Sequence, residues 1–252
     1  MDVPPLYAHR LGRAYGPDSS LQALARTLSG PVDGLETDCC LTADGELVLL
    51  HDPLLSIGTT LDGWARERPS AQIRAARLLD AAGRPTDQRP LALDELLERV
   101  PAELPVQVEV KAIGDPALAR ATALALCERY RRHPARERFE VLSFWSGACE
   151  LAAAHGFRAR LILFAEYQPE ALAFWASRRG VQGICIEHFL ISPRLVETLR
   201  AAGLSVSTGT VNRAELLMRV APLALDSVCT DHPLELRAET AAFVGSELPL
   251  AA

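Results

Sequence analysis

Glu36 and Asp38, one residue apart, and His51-Asp52 close behind them are the residues whose types and spacing most directly suggest chemistry. They lie in the stretch GLETDCCLTADGELVLLHD, residues 34–52, which is otherwise apolar and strand-like. Side chains alternate along a strand, so the two acids share one face. Asp44-Gly45 fits a two-residue type I′ hairpin loop. That loop sets Ala43 opposite Glu46 and His51 opposite Asp38, where cross-strand Cβ atoms stand about 4.5–5.5 Å apart. Two carboxylates and an imidazole on one patch suit a metal site with an acid–base group beside it. An exposed polar edge hairpin is the plainer alternative, and a one-residue slip in register would undo the convergence.

Positioning such residues requires a repeated unit, and the chain supplies one. Strand-like runs at 6–9, 34–39, 105–111, 139–144, 160–164, 183–187, 204–211 and 227–231 alternate with helical stretches such as 19–28, 116–131, 193–202 and 213–220. Eight strand–helix units in 252 residues predict an α/β fold, a (β/α)8 TIM barrel, with residues 1–252 as a single domain. The alternative is an open doubly wound sheet, but LGRAYG after the first strand lacks the spacing of a dinucleotide loop. Residues 53–90 break the rhythm and read as a small insertion after the second-strand hairpin. Barrel chemistry sits at the C-terminal strand ends. There the chain places His9-Arg10, Glu36 and Asp38, Glu109-Val110-Lys111, Glu187-His188, Thr210-Val211-Asn212 and Thr230-Asp231-His232.

Of 26 basic residues, Lys111 is the only lysine. A compact, flexible point charge is therefore the need at that position, suited to a phosphate oxygen or a carboxylate. Glu36, Asp38 and Glu109, without cysteine or paired histidine ligands, suit a hard divalent ion rather than zinc. Such a cation beside Arg10 and Lys111 makes a pocket for a phosphate. His9 and His51 come from different strands and can flank that anion, one accepting a proton from the nucleophile and the other donating to the leaving oxygen. The result is a phosphodiesterase without a covalent protein nucleophile.

These residues together resemble the glycerophosphodiester phosphodiesterase family, from His9 to about Pro233. His9-Arg10 match its opening His-Arg-Gly, and Glu36-Thr37-Asp38 match its Glu-x-Asp. Residues 41–52 match its hairpin ending in His-Asp. Glu109-Val110-Lys111 match its Glu-x-Lys, and Thr230-Asp231-His232-Pro233 its Thr-Asp-x-Pro. The resemblance implies a barrel with an insertion after the His-Asp strand. It implies His9 and His51 as the acid–base pair, Glu36, Asp38 and Glu109 on a divalent metal (Mg2+, Ca2+ or Mn2+), and Arg10 and Lys111 on the phosphate. It also implies a small-molecule glycerophosphodiester substrate, cleaved to sn-glycerol 3-phosphate and an alcohol. Three motifs depart from the pattern. Leu11 stands where the family has Gly, Pro17-Asp18-Ser19-Ser20 where it has Pro-Glu-Asn-Thr, and Gly209 where Trp precedes Thr210-Val211-Asn212. Asp18, Gly209 and Asn212 are accordingly expected at the substrate pocket, which loss of the indole would enlarge or reshape.

Composition narrows the partners. A net charge of −6 argues against a nucleic-acid or anionic-membrane surface. No run of 18 apolar residues exists, so no stable membrane insertion is expected. The start MDVPPLYAHR does not read as a leader, and the six cysteines, with no C-x-x-C pair, are expected to be reduced in a cytoplasmic protein. Three other readings compete. The first is lysophospholipase D-type action on lipid diesters, with Leu54, Leu55, Ile57 and Trp64 as an apolar lip. The second is a Schiff-base lyase on Lys111, and the third a catalytically silent barrel binding a phosphorylated ligand. His133 and His155 are expected off the site, and His188 and His232 near it. Asp231 is expected to support a neighbouring basic group from the barrel floor.

Overall fold

A computed structural model describes residues 3–246; the remaining ends of the expected 1–252 domain lie outside the described residues. Nine strands form one sheet: β1 (Leu6–Ala8), β2 (Gly34–Leu41), β3 (Leu47–Leu49), β4 (Val106–Val110), β5 (Phe139–Ser143), β6 (Arg158–Leu163), β7 (Gly183–Glu187), β8 (Ser205–Gly209) and β9 (Ser227–Thr230). Eight of them run parallel in the order β1-β9-β8-β7-β6-β5-β4-β2, and pairing of β1 with β2 closes the ring. This is the TIM barrel expected from the strand–helix rhythm. β3 hangs antiparallel on the outer part of β2.

The crossover helices begin where local chemistry permits. Pro116–Tyr130, Pro169–Arg179 and Pro193–Ala201 each open on proline, whose missing N–H costs nothing in a first turn. Asp115 and Ser192 cap two of them by accepting from Leu118 N and Leu195 N. The main core lies between strands and helices, from Leu6 and Leu35 through Val108, Val141 and Ile184 to Leu236. Residues 53–90 build a smaller core of their own: Leu55, Ala65, Ile73 and Leu78 pack on Cys40, Val48 and Leu50. Leu55 of the expected lip is thus consumed by packing, whereas Ile57 and Trp64 remain exposed.

The hairpin differs from expectation by one residue. Cys39 faces Leu49, Cys40 faces Val48 and Leu41 faces Leu47, so Thr42 rather than Ala43 stands opposite Glu46. Residues 43–45 form a three-residue loop with Gly45 at φ +81°. Side chains select it. The Thr42 hydroxyl accepts from Glu46 N at 2.9 Å and donates to Asp44 Oδ1, while Asp44 also accepts from Ser70 N at 2.9 Å. His51 is therefore not the ladder partner of Asp38. β3 ends at Leu49, strand alternation no longer governs His51, and the imidazole comes to the barrel mouth from the bend that follows.

Candidate active site

The carboxylates converge because β2 and β4 are neighbours in parallel register, Glu36 beside Gln107 and Asp38 beside Glu109. One oxygen from each of Glu36, Asp38 and Glu109 lies within 4.8 Å of the others, and all three residues are buried. Burial, then the neighbouring Asp38 charge, pushes the Glu36 carboxyl well up. Burial likewise raises Glu109, against the pull of Lys111. Asp38 goes the other way. Burial opposes its charge, but Lys111, His51 and Arg10 hold it ionised. Its Oδ2 is buried without a hydrogen-bond partner. Crowded buried carboxylates with an unsatisfied oxygen fit a hard divalent cation.

Two cations flank the cluster. Lys111 Nζ lies 3.0 Å from Asp38 Oδ1 and 2.6 Å from Glu109 Oε1. Arg10 Nε lies 3.6 Å from Asp38 Oδ2, and its Nη1 donates to Asp18 Oδ2. Lys111 is thus held by carboxylates in this state, and they keep its pKa raised although burial works against the charge. A Schiff-base lysine needs the opposite shift, so the lyase reading is set aside.

Arg10 and Leu11 take left-handed backbone angles, φ +50° and +63°, before Gly12 at φ +98°. The turn aims the Arg10 amide at Glu36 Oε2, 2.9 Å away. The resemblance has Gly at position 11, which accepts this conformation without a Cβ clash.

The histidines differ in surroundings. His9 Nδ1 lies 2.7 Å from Asp231 Oδ1, and its Nε2 is 4.0 Å from Glu36 Oε2. Burial disfavours charge on His9, but the Asp231 bond and Glu36 outweigh it and raise its pKa. His51 Nδ1 lies 3.1 Å from Asp52 Oδ2. Burial, helped by Lys111 and Arg10, lowers the His51 pKa despite Asp38.

Both imidazoles, Glu36, Glu109, Arg10 and Lys111 line one cavity of about 290 Å3, and Gly209 is in its wall. A Cβ on Gly209 would meet Cys229 Cβ at 2.9 Å, so a larger residue there requires Cys229 to move. Asp18 lines an adjoining cavity and braces Arg10 and Arg13. Asn212 behaves differently from a pocket residue. Its Nδ2 donates to Asp231 Oδ2 at 2.7 Å and its Oδ1 accepts from Asp231 N at 2.9 Å, so its amide is spent on fixing Asp231. Asp231 therefore supports His9 at the mouth end of β9 rather than from the floor. His232 is tied to the Asn212 carbonyl, and His133 and His155 sit away from the cavity. Phe144, Ile162 and Glu187 also line it. Their only sequence signal was position at a strand end.

The glycerophosphoryl diester phosphodiesterase family model matches residues 9–235, a span that holds every residue of this cavity. The chain belongs to that family. Membership makes it a phosphoric diester hydrolase, and the buried carboxylate cluster accords with the divalent-metal dependence of the family. It is similar to a glycerophosphodiester phosphodiesterase of Caldanaerobacter subterraneus, 26% identical over 233 residues, covering 90% of this chain and 93% of that one. Its fold is shared with an Oleispira antarctica phosphodiesterase solved in complex with the product sn-glycerol-3-phosphate (TM-score 0.83, 22% identity, 94% and 96% of the chains covered). A Thermotoga maritima glycerophosphodiester phosphodiesterase shares it too (TM-score 0.76, 19% identity, 98% and 99% covered). Among the described residues of this family member, no helix is long and apolar enough to cross a membrane.

Proposed function

We propose that the chain hydrolyses glycerophosphodiesters to sn-glycerol 3-phosphate and an alcohol, with His9 and His51 as the acid–base pair beside a divalent cation on Glu36, Asp38 and Glu109. The observation that carries this reading is the meeting of both imidazoles, the carboxylate cluster, Arg10 and Lys111 at one cavity. Mg2+ or Ca2+ suits the all-oxygen donor set, and Mn2+ is the third candidate. When bound, the cation supplies positive charge against the phosphoryl oxygens.

The remaining work belongs to the side chains. Asp231 is ionised and accepts only, so the His9 proton sits on Nδ1 and Nε2 is the atom that exchanges a proton in the cavity. Asp52 Oδ2, 3.1 Å from His51 Nδ1, is the acid beside that imidazole, and His51 Nε2 is assigned the second proton. One imidazole draws a proton from the attacking water while the other gives one to the departing oxygen. Arg10 and Lys111 offset charge on the phosphate as it becomes five-coordinate. Asp18 keeps the Arg10 guanidinium in place. In this reading residues 1–252 act as one catalytic unit. The six free thiols, five of them buried, suit a reducing cytoplasmic setting.

Hydrolysis of glycerophosphoethanolamine in 18O-water tests the chemistry. Label in the sn-glycerol 3-phosphate is expected, because water attacks phosphorus. Label in the ethanolamine would mean attack on carbon and would refute the mechanism.

A further inference from the structure

Across the barrel from the carboxylate cluster stands an acid that the chemistry above leaves idle. In the closed ring β7 lies four strands from β2 by either route, so it stands opposite the strand that carries Glu36 and Asp38. Glu187 is the last residue of β7 and lines the catalytic cavity. Of the other acids lining that cavity, Glu36 accepts from Arg10 N and Glu109 is held by Lys111. The Glu187 carboxylate has no hydrogen-bond or ion-pair partner among the described residues. Its register neighbour on β8 is Gly209, which brings no side chain to cover it.

An uncompensated carboxylate here is costly twice over. Partial burial pushes the Glu187 pKa up, against the pull of His188 and His9. The same charge repels the phosphate that the cavity holds. A hydroxyl on the ligand would satisfy one oxygen and leave the net charge, whereas an ammonium would offset the charge as well. The walls separate one kind of ammonium from another. Besides the two imidazoles, Phe144 is the only aromatic lining the cavity among the described residues, and its ring centroid already lies 5.9 Å from Lys111 Nζ. A quaternary ammonium is recognised by a cage of several rings, but a primary one donates N–H bonds to a carboxylate.

We propose that Glu187 is a specificity residue for the alcohol arm of the diester and accepts from a protonated primary amine on that arm, so that amino-alcohol diesters are the favoured substrates. The inference rests on the phosphodiesterase reading above and names its substrate. With the phosphate held beside Glu36, Asp38 and Glu109, the arm that crosses the mouth ends at Glu187. The reaction is unchanged: water's oxygen bonds to phosphorus, the P–O bond to the amino alcohol breaks, and the leaving oxygen takes a proton.

Metal-loaded enzyme is assayed on glycerophosphoethanolamine, on glycerophosphoethanol, which lacks only the amine, and on glycerophosphoglycerol, whose arm carries hydroxyls instead. Wild type is compared with E187Q, which keeps the size of the side chain and removes its charge. Wild type is expected to favour the amine at least about tenfold in kcat/KM, chiefly through KM, the scale of one hydrogen bond between charged groups. E187Q is expected to shrink that preference at least about fivefold. Equal turnover of all the diesters by wild type, an equal loss on all of them in E187Q, or an amine preference that survives in E187Q would overturn the assignment. A wild-type preference for the glycerol arm that E187Q abolishes would overturn it too, in favour of hydroxyl recognition. Absence of turnover on every diester would instead strike the phosphodiesterase reading itself, and this inference with it.

Discussion

The imidazole of His9 and the carboxylate of Asp231 meet at 2.7 Å just past the C-terminal ends of the parallel neighbours β1 and β9, the first and last described strands. Asp231 is fixed in turn by Asn212, which bonds both its carboxylate and its amide. One end of this relay exchanges a proton and the other end only orients, which separates their roles. His9→Ala and His51→Ala are each expected to lower kcat by at least about 10²-fold, the contribution usual for a general acid or base. Asp231→Asn is expected to lower kcat substantially with KM and metal affinity nearly unchanged. Steady-state kinetics with metal titration check this. An equal loss in metal affinity would make Asp231 part of the metal site instead.

Metal affinity and fold stability should pull apart at Glu36. Burial and Asp38 raise its carboxyl, so its ionised form costs the metal-free protein stability above the ordinary carboxylate range. Glu36→Gln is expected to weaken metal binding at least about tenfold, yet to leave the melting temperature in EDTA equal to or above that of wild type. Thermal melts with and without Mg2+, Ca2+ and Mn2+ measure both. A large loss of apo stability would show that the Glu36 charge holds the fold together.

Leu11 is fully buried at φ +63°. A left-handed non-glycine residue costs roughly 1–2 kcal/mol, here set against a buried leucine side chain. Both Leu11→Ala and Leu11→Gly lose packing, but only glycine removes the backbone strain. Leu11→Gly is therefore expected to be about 1 kcal/mol more stable than Leu11→Ala, the reverse of the usual order. Denaturant melts of the pair decide it, and the ordinary order would remove strain from this turn.

At the opposite end of the barrel Arg160, 2% exposed, pairs with Glu140 at 2.9 Å while Gln107 donates to the second Glu140 oxygen at 2.8 Å. Burial alone would raise the Glu140 pKa. Arg160 and Gln107 prevail and lower it below its unfolded value. The pair's stabilisation is then complete above the unfolded carboxylate range, near pH ~4.3, and is lost as pH falls through the lowered folded value. Glu140→Gln should cost roughly 3–5 kcal/mol near pH 7, as expected for a buried charge left unpaired. The gap to wild type should narrow in acid. A gap constant with pH would contradict the assignment.

Much of this was legible in the sequence because period and position carry it. Alternating strands and helices of regular length specified the barrel, and the acids at strand ends specified which end would hold the site. Glu36, Asp38 and Glu109 could be grouped because neighbouring parallel strands keep their register. The hairpin register was not legible, because Asp44-Gly45 serves a two-residue or a three-residue loop. Side-chain bonds from Thr42, Asp44 and Ser70 made the choice. Sequence position puts Asn212 in the pocket, whereas the fold turns it onto Asp231. The sequence puts an apolar lip in the insertion, but Leu55 is buried there and the aromatic surface gathers on Phe144, Phe164 and Tyr167. Phe144 and the Phe164–Tyr167 pair follow successive strands and meet when β5 pairs with β6.

We propose that this carboxylate cluster and these two histidines hydrolyse glycerophosphodiesters. The most direct test is release of sn-glycerol 3-phosphate from glycerophosphoethanolamine by EDTA-stripped protein, with Mg2+, Ca2+ or Mn2+ added back singly. No release without metal is expected, with release restored by at least one ion in wild type and withheld in His9→Ala and His51→Ala. Turnover in EDTA equal to that with metal, or full turnover by either histidine variant, would contradict the account.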